Sequence, residues 1–187
     1  HQYFHAYWEE REQAYKQSLL FPKSTYSPWL NDEAFLKTYN AIKDNTLVDI
    51  YRCYELWQIS SRLKNSEAAI IEVGVWRGGT AALLAKANNN NSPVYLCDTF
   101  EGVAKAGEKD NQYKGGEHAD TSVETVEKLM NGQGISNYHI LKGIFPDVNA
   151  DMLEDQKFKI CHIDVDVYDS AKDIFNWVWQ RMIVGGV

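Results

Sequence analysis

Residues 69–85 read AIIEVGVWRGGTAALLA, and this stretch decides the fold. An apolar run reaches the acidic residue Glu72, and a turn with three glycines, Gly74, Gly78 and Gly79, then leads into a series of helix formers. Glycines between a strand and a helix allow the backbone to approach a ligand closely, and the first amides of the helix are free to bind it. The pattern therefore predicts a strand, a tight turn and a helix that together hold a cofactor.

The spacing of the glycines separates two classes of cofactor. A dinucleotide-binding turn follows the pattern G-x-G-x-x-G, in which the second glycine admits the pyrophosphate. This chain has the bulky Trp76 and Arg77 in that part of the turn. We therefore expect a cofactor without a pyrophosphate.

A second acidic residue, Asp98, directly follows the predicted strand Val94–Cys97, roughly 20 residues beyond the glycine turn. A doubly wound sheet places a carboxylate there, which can accept hydrogen bonds from the two vicinal hydroxyls of a ribose. The combination implies adenosine without a diphosphate. S-adenosylmethionine is the common cofactor of that kind.

Length and charge narrow the class of protein. The chain has 187 residues, about one domain, and can bury roughly 70% of its unfolded surface. A formal net charge of −7 argues against nucleic acid, because such binding depends on clustered Lys and Arg. The apolar runs are far shorter than the roughly 20 residues that span a bilayer. We therefore expect a small-molecule substrate, with no nucleic-acid or membrane partner.

The cysteines and the first residues indicate the compartment. Three widely spaced cysteines, Cys53, Cys97 and Cys161, match neither a disulfide framework nor a C-x-x-C metal site. The start of the chain lacks the basic residues and the apolar core of a signal peptide. We expect a soluble, cytoplasmic protein. The number of subunits stays open, a homo-oligomer included.

From Ile70 onward, strands and helices alternate, which predicts an α/β fold with a mainly parallel sheet and helices on both faces. The predicted strands are Ile70–Val75, Val94–Cys97, Tyr138–Lys142 and Phe158–Val165, and the predicted helices are Thr80–Ala87, Ser122–Met130 and Ser170–Met182. We expect a single domain in which residues 1–66 are a mostly helical N-terminal extension and residues 67–187 the cofactor-binding core. A loop is predicted at Phe21–Pro28, and further strands are expected beyond Val187.

Capping residues and apolar spacing predict where three helices begin and which side of the last one is buried. Thr46 and Thr121 each open a capping box, and Asp169 is the predicted N-cap of the last helix. The core-facing stripe of that helix consists of Ala171, Ile174, Phe175, Val178 and Met182. Between Glu101 and Asp120, four glycines and many charges predict a mobile flap.

Carboxylates cluster where the last predicted strand ends. Asp164, Asp166 and Asp169 lie at the edge where open α/β sheets bind ligands. Residues two apart share a face of a strand, so Asp164 and Asp166 point the same way unless a turn near Val165 splits them. Such a pair suits Mg²⁺, and the alternative is that the two residues only end a strand before the next helix. His162 is predicted to be a hydrogen-bonded core residue.

Four motifs together resemble the macrocin O-methyltransferase family, whose members modify antibiotic sugars. The motifs are Glu72–Gly79, Asp98–Gly102, Lys142–Asp147 and Ile163–Ser170. The resemblance implies a Rossmann-like class I methyltransferase fold, S-adenosylmethionine as the cofactor, and a divalent metal, Mg²⁺, that assists methylation of a sugar hydroxyl.

The resemblance also implies roles for individual residues. The residues for the methionine part of the cofactor are Glu72, Gly74, Gly78, Gly79 and Thr80, and Asp98 holds the ribose hydroxyls. Asp164 is the implied metal ligand and general base, and Asp166 a second ligand, with Val165 where the family has glycine. Further metal ligands are expected beyond Val187. Two alternatives stay open, an NAD-dependent oxidoreductase and a non-catalytic nucleotide-binding scaffold; Trp76 and Arg77 disfavour the first and Asp164 the second.

Overall fold

The computed structural model describes residues 27–187, and the predictions for residues 1–26, with most of the predicted loop at Phe21–Pro28, lie outside the described residues. The helices are α1 (Glu33–Ile42), α2 (Ile50–Arg62), α3 (Gly79–Ala87), α4 (Val123–Gly132) and α5 (Tyr168–Trp179). The strands are β1 (Ala69–Val73), β2 (Val94–Asp98), β3 (Tyr138–Lys142) and β4 (Phe158–Ile163). Short 3₁₀ turns lie at Pro28–Asn31, Lys43–Asn45 and Ala150–Leu153.

The four strands form one sheet in the order β3-β2-β1-β4, and every neighbouring pair is parallel. Ile70 of β1 lies opposite Val94 of β2 on one side and Ile160 of β4 on the other. The strand order therefore reverses at β1, since β2 and β3 follow on one side and β4 is added on the other. Open α/β sheets bind ligands at such a switch point, at the carboxyl ends of the strands.

Helices cover both faces of the sheet, as predicted. On one face, Phe35 of α1 and Trp57 of α2 belong to the same apolar cluster as Leu83 of α3. On the other face, Ile174 of α5 packs with Phe158 of β4. Helix α3 is buried at every position except Lys86, so its Ala- and Leu-rich sequence suits a helix surrounded by protein. The division of the chain at residue 66 stays a prediction.

Two helices begin later than the capping boxes predict. The carboxylate of Asp49, three residues after Thr46, accepts the N–H of Arg52 at 3.0 Å and caps α2. Thr46 instead accepts the N–H of Val48 at 3.1 Å, in the connector before the helix. Helix α4 is capped by Ser122 rather than Thr121. In each case more than one residue that can cap a helix lies within a few positions of the helix start, and the local sequence does not distinguish between them.

The predictions for α5 need three corrections. The helix ends at Trp179, so Met182 lies beyond it, where it forms a β-bridge with Phe158. Asp169 is not the N-cap of α5, because the helix begins at Tyr168, whose N–H donates to Oδ1 of Asp110 at 2.9 Å. Phe175 is not in the core, since 52% of its surface is exposed, whereas Ile174 and Val178 are buried. The sequence does not show that a residue 58 positions away supplies the hydrogen bond at the helix start.

After α5 the chain returns to the sheet beside β4. Ile183 donates its N–H to the carbonyl of Phe158 at 2.9 Å, and the main chain of Val187 bonds Lys159 and Cys161 at 2.9 and 2.8 Å. The strands expected beyond Val187 stay a prediction. Within residues 27–187, every helix is too short or too polar to cross a membrane.

Candidate active site

A cavity of about 250 Å³ opens at the carboxyl ends of β1, β2 and β4. The predicted site residues that line it are Gly74, Thr80, Asp98, Asp164 and Asp166. The other three, Glu72, Gly78 and Gly79, lie nearby but do not line it. The topology thus brings the glycine turn and both acidic strand ends to one space.

Gly74 allows two backbones to touch at the switch point. Its φ is +87°, and a Cβ atom at this position would overlap the carbonyl oxygen of Asp164. The N–H of Asp164 donates to the carbonyl of Val73 at 2.9 Å, which continues the pairing of β1 with β4. Asp164 is therefore placed by the main chain of the glycine turn itself.

Gly78 and Gly79 pack closely against other parts of the protein. A Cβ atom on Gly78 would lie 3.1 Å from Cγ1 of Val126 in α4, and one on Gly79 would lie 2.6 Å from the carbonyl oxygen of Asn45. Protein atoms therefore occupy the space on the side where a Cβ would lie. Contact between the cofactor and the backbone of these residues stays a prediction.

The carboxylate of Asp98 holds the glycine turn. Its Oδ2 accepts the N–H groups of Val75 and Trp76 at 2.6 and 2.9 Å, and its Oδ1 accepts that of Phe100 at 2.7 Å. Trp76 has a φ of +48°, an uncommon conformation that these bonds support. A carboxylate has about four acceptor positions, so about one is left for a ribose hydroxyl rather than two.

Glu72 is fully buried on β1 and forms a hydrogen bond with a histidine of β4. Its Oε1 lies 2.7 Å from Nδ1 of His162, while Oε2 has no hydrogen-bond partner among the described residues. Burial lowers the pKa of His162, but the hydrogen bond and the negative charge of Glu72 outweigh it, so that the pKa lies above its usual value. His162 is thus hydrogen-bonded to the neighbouring strand, and the predicted hydrogen bond is confirmed.

Asp164 and Asp166 both face the cavity, although β4 ends before them. Burial and the charge of Asp164 raise the pKa of Asp166, while hydrogen bonding from Tyr113 and the charge of His118 act in the opposite direction. Asp169 does not join the pair, because its carboxylate lies 3.7 Å from Nζ of Lys109 on the surface. Among residues 27–187, no group of three or more His, Cys, Asp or Glu side chains could hold a metal ion.

Residues Glu101–Asp120 cover the cavity without forming a helix or a strand, and we call them the flap. Lys105 anchors the beginning of the flap, since its Nζ lies 2.9 Å from both Asp147 and Asp173. Asp120 anchors its end through the glycine turn: it accepts from Trp76 Nε1 at 2.9 Å and from Arg77 Nη2 at 2.6 Å. The mobility predicted for the flap stays a prediction.

Several cavity residues were not predicted. One wall is the connector Asn45–Val48 together with Arg52 of α2, and the flap contributes Tyr113 and His118. Phe145 also lines the cavity. No motif marks Arg52, because a polar residue on the outer face of an amphipathic helix looks like an ordinary surface residue. The role of Arg52 as a cavity residue becomes visible only in the structure, which places the start of α2 beside the switch point.

Comparisons with known proteins agree with this architecture. A family model described as Macrocin-O-methyltransferase (TylF) matches residues 43–187. Demethyldecarbamoylnovobiocin O-methyltransferase of Streptomyces niveus is 25% identical over 194 aligned positions, which cover 92% of this chain and 70% of that protein.

Among solved structures, the calicheamicin methyltransferase CalS11 superposes with a TM-score of 0.65 at 12% identity, covering 87% of this chain and 77% of that one. An O-methyltransferase from Bacillus cereus, solved in complex with S-adenosylhomocysteine (SAH), superposes with a TM-score of 0.53 at 16% identity. The superposition covers 93% of this chain and 68% of that one. These likenesses show the fold, a Rossmann-like class I methyltransferase fold, as predicted. Because the family model spans most of the sequence, the chain belongs to the macrocin O-methyltransferase (TylF) family.

Proposed function

We propose that the chain is an S-adenosylmethionine-dependent O-methyltransferase that methylates a hydroxyl of a sugar or of a glycosylated natural product, with help from a divalent cation. The observation that carries the proposal is the meeting of Gly74, Asp98 and Asp164 around one cavity. The names of the relatives agree in kind, since CalS11 is described as a TDP-rhamnose 3'-O-methyltransferase. An oxidoreductase is disfavoured by the family match.

The cavity suits a cationic nucleoside. Three carboxylates line it, those of Asp98, Asp164 and Asp166, and they attract a sulfonium centre. The remaining acceptor position on Oδ1 of Asp98 can take one ribose hydroxyl. When bound, S-adenosylmethionine supplies an electrophilic methyl group for in-line transfer to an acceptor oxygen.

Asp164 is the proposed general base, which removes the proton of the acceptor hydroxyl. A sugar hydroxyl is a poor nucleophile at neutral pH, so that its deprotonation has to accompany methyl transfer. Asp164 is suited to this task because its backbone is fixed against Gly74, at the end of the glycine turn that we propose for the cofactor. The flap residues Val103, Tyr113 and His118 would exclude water from the same space.

Asp164 and Asp166 would also hold the divalent cation. The donor set fits a hard cation in kind, because Mg²⁺ is commonly bound by one or two carboxylates and completed by water. Burial raises the pKa of Asp166 and the nearby charge of Asp164 adds to the effect, so a cation bound between the two carboxylates would offset their mutual repulsion. The bound cation would supply charge stabilisation for the deprotonated hydroxyl.

The test combines cofactor binding with turnover. Thermal-shift and calorimetric titrations of the whole chain with S-adenosylhomocysteine should show binding, and radiolabelled methyl transfer to a panel of glycosides should depend on Mg²⁺. The variant Asp164→Asn should keep S-adenosylhomocysteine binding and lose methyl transfer by roughly 100-fold or more, since an amide is no base. Asp169→Asn is the matched control, because Asp169 does not line the cavity.

Two results would contradict the proposal. A folded protein that shows no response to adenosyl compounds would exclude the cofactor and leave the scaffold alternative. Methyl transfer by Asp164→Asn at the rate of the control variant would remove Asp164 from the reaction.

A further inference from the structure

Arg52 places one cationic side chain among the carboxylates that line the cavity. Within residues 27–187, Arg52 is the only lysine or arginine that lines it, while Asp98, Asp164 and Asp166 provide three negative charges. Such a surface attracts the cationic parts of a ligand and repels an anionic part unless that part meets a positive partner. Any anionic group that enters the cavity therefore has one permanent cation to bind.

Arg52 is held in place by the helix start on which it lies. Oδ1 of Asp49 accepts the N–H of Arg52 at 3.0 Å as the cap of α2, and Oδ2 accepts Nε of the same residue at 2.6 Å. Asp49 therefore orients the guanidinium through one edge. The two terminal nitrogens of the Arg52 guanidinium have no hydrogen-bond acceptor among the described residues, so both are available to a ligand.

The guanidinium of Arg52 also interacts electrostatically with Asp164, the proposed general base. The pKa of Arg52 is raised, first by the hydrogen bond to Asp49 and to a smaller extent by the charges of Asp49 and Asp164. Beside it, the hydroxyl of Thr46 accepts the N–H of Val48 at 3.1 Å, which leaves its proton free to donate. Arg52 and Thr46 thus present donors on the wall formed by the connector and α2.

S-adenosylmethionine carries an anionic group, the α-carboxylate of its amino-acid end. The planar guanidinium matches a carboxylate in charge and in geometry. We propose that Arg52 binds this carboxylate and so orients the methionine end of the cofactor. The inference rests on the proposed function, and it assigns to Arg52 a role in cofactor recognition rather than in recognition of the acceptor.

The experiment compares two cofactors that differ only in the carboxylate. Calorimetry measures the affinity of the wild-type protein and of Arg52→Gln for S-adenosylmethionine and for decarboxylated S-adenosylmethionine. Arg52→Gln should weaken binding of S-adenosylmethionine roughly 10- to 100-fold, the usual effect of losing a charged hydrogen bond, and should leave the decarboxylated compound unaffected. Arg62→Gln, at the other end of α2 and outside the cavity, is the matched control.

Four outcomes separate the possibilities. Equal affinity of wild-type protein and Arg52→Gln for S-adenosylmethionine would overturn the inference and leave the proposed function intact. Equal weakening for both cofactors would also overturn it, because the effect would not depend on the carboxylate. Failure of the wild-type protein to bind either cofactor would refute the proposed function and this inference with it. Partial rescue by Arg52→Lys, which keeps the charge without the fork, would support the carboxylate contact.

Discussion

Gly74 shows how one residue links the fold to the proposed chemistry. Its positive φ and its contact with the carbonyl of Asp164 leave no room for a side chain. Gly74→Ala should therefore lower the free energy of unfolding by about 3 kcal/mol, because the new methyl group forces β1 and β4 apart and the conformation is strained. It should also weaken S-adenosylhomocysteine binding.

Gly132→Ala in α4 is the matched control for Gly74→Ala. A Cβ atom there meets nothing within 4 Å, so the variant should be as stable as the wild type or more stable by up to about 1 kcal/mol. Urea denaturation measures both. If Gly74→Ala is no less stable than Gly132→Ala, the close contact at the switch point does not constrain the fold.

At the residue scale, the sequence predicted which residues line the cavity better than it predicted the hydrogen bonds that they form. Asp98 and Asp164 line the cavity because Asp98 ends β2 and Asp164 directly follows β4, and that relation is visible in the apolar pattern. The bonds that Asp98 makes to the glycine turn, and the burial of Glu72 against His162, depend on which side chains face each other across strands. The sequence contains no signal for such pairs, so that these contacts were found only in the structure.

At the element scale, the flap and the glycine turn are joined by Asp120. Besides the bonds to Trp76 and Arg77, Thr121 donates its hydroxyl hydrogen to the carbonyl of Trp76. Asp120→Ala should release the end of the flap, and trypsin should cleave after Lys109 or Lys114 several-fold faster. The melting temperature should hardly change, because an exposed ion pair contributes at most about 1 kcal/mol.

Asp155→Ala provides the control for Asp120→Ala, since Asp155 is exposed and lies outside the flap. Mass spectrometry of the fragments identifies the cleaved bonds. Unchanged cleavage of Asp120→Ala relative to this control would show that the flap is held by its other contacts alone.

Strands were predicted more accurately than helix ends. The prediction for β3 agrees at both ends, and the others differ by one or two residues, because alternating turns and apolar runs mark a buried parallel strand clearly. Helix starts moved by up to three residues, as with Asp49 in place of Thr46, because neighbouring Thr, Ser and Asp residues all favour a cap.

At the scale of the whole molecule, Lys159 ties together the end of the sheet opposite the cavity. It is fully buried where the pairing of β1 with β4 shifts register. Its Nζ lies 3.1 Å from the carbonyl of Leu63, 2.7 Å from that of Ser66, and 2.8 Å from both Asn88 Oδ1 and Ser92 Oγ. One ammonium group therefore joins the α2–β1 loop, the α3–β2 loop and β4.

Lys159→Met should lower the free energy of unfolding by about 3 kcal/mol, because it leaves buried acceptors without a donor. Burial lowers the pKa of Lys159 from its ordinary value of 10.5 to about 8, so the folded protein loses this proton at a lower pH than the unfolded chain does. The stability of the wild type relative to Lys159→Met should therefore increase as the pH rises from 8 toward 10.5.

Urea denaturation at pH 7, 8 and 9.5 measures this difference, with the exposed Lys157→Met as the control. A stability difference that shrinks with rising pH would contradict the assignment, as would a Lys159→Met variant as stable as the control.

The junction of Gly74 with Asp164 has a consequence for how such a protein can diversify. In the proposed enzyme, main-chain atoms determine the spacing between the methyl donor and the proton acceptor, whereas the opposite boundary of the pocket is built from loop side chains. Related proteins could therefore change side chains of the flap and accept new sugars, while the geometry of methyl transfer stays the same.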